Sequence, residues 1–192
     1  HLSLIAVSGD FLGLQSDSNQ CEVAALCWLL ALYRSASGDG AAASGAALQV
    51  VRWLAIRKML GCGLCKFYGS PMWRAGSAME VHYWTQPLPN PLSRAAHRLP
   101  PAAHRLACVG TLAVEVVLPA AGAMPLRLAR AVACAGFVAI NVCINLTGNY
   151  GMIGALSVAE SLSLLDDDML PFAAALGSPA PAGGGGLGVG GV

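Results

Sequence analysis

The chain has 192 residues, 56% of them hydrophobic and only 11% charged, with a mean hydropathy of +0.61 and a formal net charge of +1. Soluble domains carry about 25% charged residues, so the bilayer is the expected solvent. The near-neutral balance offers no basic excess for a phosphate backbone, which sets nucleic acid aside as a partner.

The chain opens with His1, and no nearby stretch combines a basic segment, an apolar run and a small-residue cleavage site. It is expected to be a fragment. Positions 1–46 read as a partial N-terminal span and a linker, 47–168 as the membrane region with a loop at 69–104, and 169–192 as a low-complexity tail expected to be disordered.

Five helical stretches are predicted. The first, about Glu22 to Tyr33, is short against the roughly 20 residues a bilayer requires, with Phe11 to Leu14 as an extension. Ser35 to Gly45 has the Gly, Ser and Ala content of a loop. The second, about Ala47 to Tyr68, carries Arg52, Arg57, Lys58 and Lys66. Charges at that density are costly at the bilayer centre. The helix therefore turns them into a protein interior or watery cavity, or lies at the interface with its long side chains snorkelling.

The connector that follows contains Pro87, Pro89 and Pro91, three prolines in five residues. Each fixes φ and removes a donor, so an irregular connector is expected there. The third stretch, about His104 to Met124, has Glu115 near its middle and Pro119 four residues on, which frees the Glu115 carbonyl. Arg52 or Arg57 is the expected partner of Glu115.

The fourth stretch, about Leu126 to Leu146, starts with Arg127 and Arg130 and places Asn141 and Asn145 on one face, a spacing suited to bonds between helices. The fifth, about Tyr150 to Leu165, has Gly151, Gly154 and Ala155 on a small-residue spacing that admits close approach. Asp166, Asp167 and Asp168 then mark emergence into water. Lys and Arg are divided between the Lys66–Arg105 connector and the Arg127–Arg130 turn in a way that leaves the orientation open.

Chemistry-bearing motifs are sparse. Cys62 and Cys65 form a C-x-x-C pair, but inside an apolar helical pattern they read as packing residues. Glu80, His82, His97 and His104 match no zinc spacing. No nucleophile elbow or P-loop is present, so no catalytic, cofactor-binding or metal-binding residue is assigned. Asn145 to Thr147 fits a glycosylation sequon placed at a membrane boundary, where glycosylation is sterically disfavoured.

Landmarks from Val51 to Asp167 are specific as a set: Arg52, Trp53 and Arg57, then Gly61, Gly63, Leu64 and Lys66, then Trp73 and Arg74. His82, Tyr83, Thr85 and the segment Gln86, Pro87, Leu88, Pro89, Asn90, Pro91, Leu92, Ser93 come next. Glu115, Pro119 and the run Leu146, Thr147, Gly148, Asn149, Tyr150 complete the order, before Leu162 to Asp167. In this order the chain resembles the lipase maturation factor family. It departs at Arg94, Ala95 and Ala96, and at Gly151 to Gly154, where that family shows aromatic or polar residues.

The resemblance implies an all-α, multi-pass transmembrane bundle in the endoplasmic reticulum membrane with a Pro-rich connecting loop. It implies a non-catalytic factor that assists the maturation of client lipases, with no cofactor. The connector is expected to form an ordered cap on the bundle, with Trp73, Tyr83 and Trp84 at the interface. A distant likeness to the vitamin K-dependent carboxylase group offers a membrane enzyme as the alternative, with Lys58, Lys66 and His82 as candidate bases. A small transporter using Glu115 and buried arginines is a third reading.

Overall fold

The computed structural model describes residues 15–37, 40–86, 88–166 and 169. Every regular element among them is helical: α1 (Gln15–Ser37), α2 (Gly40–Gly69), α3 (Pro71–Ala75), α4 (Ala78–Thr85), α5 (Pro91–His97) and α6 (Pro101–Leu112). A π-helical segment (Ala113–Val117) leads into α7 (Leu118–Gly122), followed by α8 (Arg127–Thr147) and α9 (Ile153–Leu162). Phe11 to Leu14, Pro87, Asp167, Asp168 and the tail beyond Met169 lie outside the described residues.

Two expectations about connectors are corrected. The Gly, Ser and Ala tract is not a loop across its length, because α1 continues to Ser37 and α2 begins at Gly40; alanine is the strongest helix former, and the tract is rich in it. The 69–104 connector contains three short helices rather than irregular chain. Its prolines explain how: Pro71, Pro91 and Pro101 each sit in the first turn of a helix, where the missing N–H has no partner to lose. Among the described residues of the connector, the backbone leaves helix at Ser70, at Gly76 and Ser77, at Gln86 and Leu88 to Asn90, and at Arg98 to Pro100.

The third stretch bends through a π turn. The N–H of Leu118 bonds to the carbonyl of Ala113, five residues back, and Pro119 follows at once with no N–H to give. Glu115 lies within this wide turn. α2 presses against it at Gly63, where an added Cβ would stand 2.7 Å from Val116 Cγ2 and 2.9 Å from Glu115 Cβ.

The apolar core is small and is shared by α2 (Ile56, Met59), α8 (Ala133, Cys134, Phe137) and Leu164 after α9. Among the described residues, the buried set includes as many polar or charged members as apolar ones, among them Lys58, Glu115 and Glu160. The outer faces are the reverse: Leu106, Val109, Val117 and Leu128 are between 62% and 77% exposed. The continuous helical segment Pro101–Gly122 and the helix Arg127–Thr147 are long and apolar enough to cross a membrane.

Candidate functional site

α2 carries Lys58, Cys62 and Lys66 at successive i+4 positions, which places them in one row along the helix. Two of the three meet buried carboxylates. Lys66 Nζ lies 2.6 Å from Oε1 and 2.7 Å from Oε2 of Glu115, using both carboxylate oxygens. Its ammonium also stands 5.6 Å from the centre of the Trp73 ring, a cation–π contact from α3.

Two turns earlier on α2, Lys58 bonds to Glu160 Oε2 and donates to Ser157 Oγ at 2.9 Å, both on α9. Asn19 of α1 donates to the other oxygen of Glu160 at 2.6 Å. Lys58, Glu160, Asn19 and Ser157 are all buried, so three helices are tied by one polar network in the interior. Buried charge is tolerated only when paired and hydrogen-bonded in this way.

These pairings correct the sequence expectation for Glu115. Arg52 donates instead to Asp166 Oδ1 at 2.9 Å and to the carbonyls of Ser163 and Leu165, and Arg57 bonds Glu22 on α1. Arg52 stands eleven residues, about three turns, along α2 from the Gly63 contact with the π segment, whereas Lys66 is only three residues from it. Asp166 is likewise more than a solvated helix end. Arg130 and Arg52 both bond its carboxylate, with Arg127 3.5 Å away. Desolvation opposes this, but the Arg52 hydrogen bond and the charges of Arg130, Arg52 and Arg127 hold the carboxyl below its usual range.

The amides on α8 also differ from expectation. Asn141 Nδ2 donates to the carbonyl of Phe137 in its own helix at 2.8 Å. Asn145 lies against α9 at Gly154, where an added Cβ would be 1.8 Å from its Nδ2. Of the small-residue set only Gly154 makes such an approach; Gly151 sits in the preceding turn with φ 63°, and Ala155 is exposed.

The two motif segments meet in space. Asn90 caps α5, its Oδ1 accepting from Ser93 N at 2.8 Å while Ser93 Oγ accepts from Asn90 N at 3.0 Å. The other end of the same amide, Nδ2, donates to the carbonyl of Leu146 at 2.9 Å. Gln86 is buried, and its Oε1 would be 2.5 Å from a Cβ added at Gly148, beside the Tyr150 ring. Ser93 is fully buried, Leu92, Pro89 and Asn149 are exposed, and Thr147 donates to Cys143 O within α8.

The histidines fall in different surroundings. Trp84 stacks on His97 at 5.6 Å, and Tyr83 faces buried His104 at 5.9 Å. His82 is pushed below its usual pKa by burial and then by the Lys66 charge. Among the described residues no three His, Cys, Asp or Glu side chains are grouped for a metal ion.

Lys58, Cys62, Lys66 and His82 all line a cavity of about 270 Å³ between α2, the π segment, α8 and α9, closed on one side by Trp73 and Met79. The three bases considered from the sequence thus share one wall. Both lysines are already held by carboxylates, a detail no spacing in the sequence displays.

An all-helical fold with membrane-length apolar helices and ion pairs turned inward defines a membrane-associated helical protein. The family described as "Lipase maturation factor transmembrane domain" matches residues 1–172, and the chain belongs to the lipase maturation factor family. It is 35% identical over 181 residues to lipase maturation factor 2 of Homo sapiens, covering 88% of this chain and 26% of that protein. Lipase maturation factor 2 of Gallus gallus is 34% identical over 172 residues, covering 88% and 24%. Lipase maturation factor 1 of Bos taurus is 35% identical over 145 residues, covering 76% and 25%. The chain spans about a quarter of the length of these relatives. No solved structure matches it.

Proposed function

We propose that this chain forms a multi-pass bundle in the endoplasmic reticulum membrane and serves there as the scaffold of a factor that assists the folding of client lipases. Family membership carries this reading, since the relatives are named for lipase maturation rather than for an enzymatic activity.

The bundle's polarity supports the membrane half of the proposal. Large apolar side chains cover the outside of α6 to α8 while Lys58, Glu115 and Glu160 are inside. In water such a surface is an aggregation hazard, and in lipid it is the solvated face. α2, with 30 residues, is about 45 Å long at 1.5 Å per residue. It joins the spans with Arg52, Lys58 and Lys66 paired to inward carboxylates, while Arg57 pairs with Glu22 at the exposed junction with α1.

The clasp between Asn90 and Leu146 supports a structural role for the motif segments. It fastens the connector to the end of α8 and gives the scaffold a fixed outer shape.

The test is rescue in cells lacking their own maturation factor, using the gene that encodes this chain and reading secreted lipase activity per unit of lipase mass. Recovery of that ratio is expected. An unchanged ratio, with the protein abundant and in the endoplasmic reticulum, rejects the maturation role.

A further inference from the structure

We propose that the cavity beside Lys58 and Lys66 binds a neutral, largely apolar molecule bearing a carbonyl oxygen, a ketone or an ester.

Hydrogen-bonding capacity on the cavity wall selects this chemistry. The carboxylates beside the cavity are consumed internally: Glu115 spends both oxygens on Lys66, and Glu160 spends its two on Lys58 and Asn19, which leaves the neutral Asn141 and Thr111 oxygens as the weaker acceptors on the wall. Ser157 Oγ accepts from Lys58 while donating to the carbonyl of Ile153. Donors are left over. Each ammonium has three N–H groups, of which Lys66 directs its bonds to one carboxylate and Lys58 to two oxygens. The Tyr150 hydroxyl and the His82 imidazole line the same space. A wall with spare charged donors and engaged carboxylates fits an acceptor on the guest.

Charge balance then sets the guest's form. Lys58 is cancelled by Glu160 and Lys66 by Glu115. An anion would enter a site with no net positive charge to receive it, and its desolvation would go uncompensated. A carbonyl dipole accepts a hydrogen bond without that cost. Met59, Ile140 and Ile153 supply the apolar remainder of the wall. An apolar cavity of about 150 Å³ holds benzene. The 270 Å³ here accordingly suits about ten to fourteen non-hydrogen atoms.

The proposal does not rest on the maturation reading, and its test reads binding alone. Benzophenone, a neutral aryl ketone that photocrosslinks where it sits, is applied to the purified protein in detergent micelles, and adducts are mapped by mass spectrometry. Decan-2-one, decane and decanoate compete at equal mole fraction in the micelle. Saturable adducts on α2, α8 and α9 around Met59 and Ile153 are expected, displaced by decan-2-one about tenfold better than by decane, the effect of one hydrogen bond to a charged donor. Tyr150→Phe narrows that preference, and Ile144→Trp, which fills the cavity, removes the adducts. Non-saturable labelling spread over the outer faces overturns the site. Equal displacement by decane, or stronger displacement by decanoate, overturns the neutral-carbonyl assignment; because this comparison uses the unaltered protein, it stands whether or not the variants fold.

Discussion

Lys66 closes on Glu115 across 49 positions of sequence, joining the last third of α2 to the π turn that Pro119 follows. The Glu115 side chain is almost fully buried and that of Lys66 about a quarter exposed, so the pair is anchored at its acidic end. Lys66→Met strands a buried carboxylate and is expected to cost about 3–5 kcal/mol. Adding Glu115→Leu removes the stranded charge and recovers most of that loss. Unfolding in mixed micelles measures both variants, and a double variant no better than Lys66→Met would refute the pairing.

Asn90 performs two tasks with one amide, and substitutions separate them. Asn90→Ala loses the cap on Ser93 N and the bond to Leu146 O, and is expected to cost about 1 kcal/mol or more. Asn90→Asp keeps the cap and loses only the donor. Hydrogen exchange at α5 should stay slow in Asn90→Asp and quicken in Asn90→Ala, while the end of α8 loosens in both.

Gly154 and Gly110 predict opposite responses to the same change. At Gly154 a methyl group meets the Asn145 amide, and overpacking of this kind costs about 1–3 kcal/mol. At Gly110 nothing stands within 4 Å, so Gly110→Ala is expected to stabilise α6 by about 0.5–1 kcal/mol through helix propensity. Asn145→Ala combined with Gly154→Ala should restore stability. Thermal unfolding of the three variants beside the unaltered protein in one detergent decides the matter.

Two groups outside the spans predict how stability follows pH. His82, held below its usual value by burial and the Lys66 charge, takes up a proton more readily when unfolded. Stability is therefore full above the ordinary value of 6.5 and falls as pH drops through the lowered folded value. Asp166 is also depressed, with the balance set by Arg52 and Arg130, so its contribution is complete above 3.8 and declines below that as the carboxylate is protonated. His82→Gln should flatten the first decline and Asp166→Asn the second, as followed by thermal unfolding at stepped pH.

The two helices long enough to cross a membrane are legible from composition because apolar runs of that length are read directly, and Pro119 four residues after Glu115 marks a break in regular bonding though not its π form. The ion-pair partners are not legible. Arg52, Arg57, Lys58 and Lys66 lie on one helix, and which of them meets Glu115 depends on where along α2 the π segment crosses it, at Gly63, a packing quantity with no local signature. The short connector helices are hidden because the run Pro87, Pro89, Pro91 reads as irregular chain, whereas Pro91, like Pro71 and Pro101, stands at a helix start. Asn90 with Ser93 three residues on was the capping signal that could have revealed α5. The convergence of Gln86 with Gly148 had no sequence signal beyond the motifs themselves.

The proposed bundle faces lipid with its apolar side chains and keeps Lys58, Glu115 and Glu160 inside. Labelling in sealed vesicles with a lipid-phase carbene reagent, read residue by residue, tests it most directly. Adducts are expected at Leu106, Val109, Val117 and Leu128, which are exposed, and none at Phe137, Leu164 or Ala133, which are buried. Labelling absent from those four outer positions, with the protein released from the vesicles by alkaline carbonate, would contradict it.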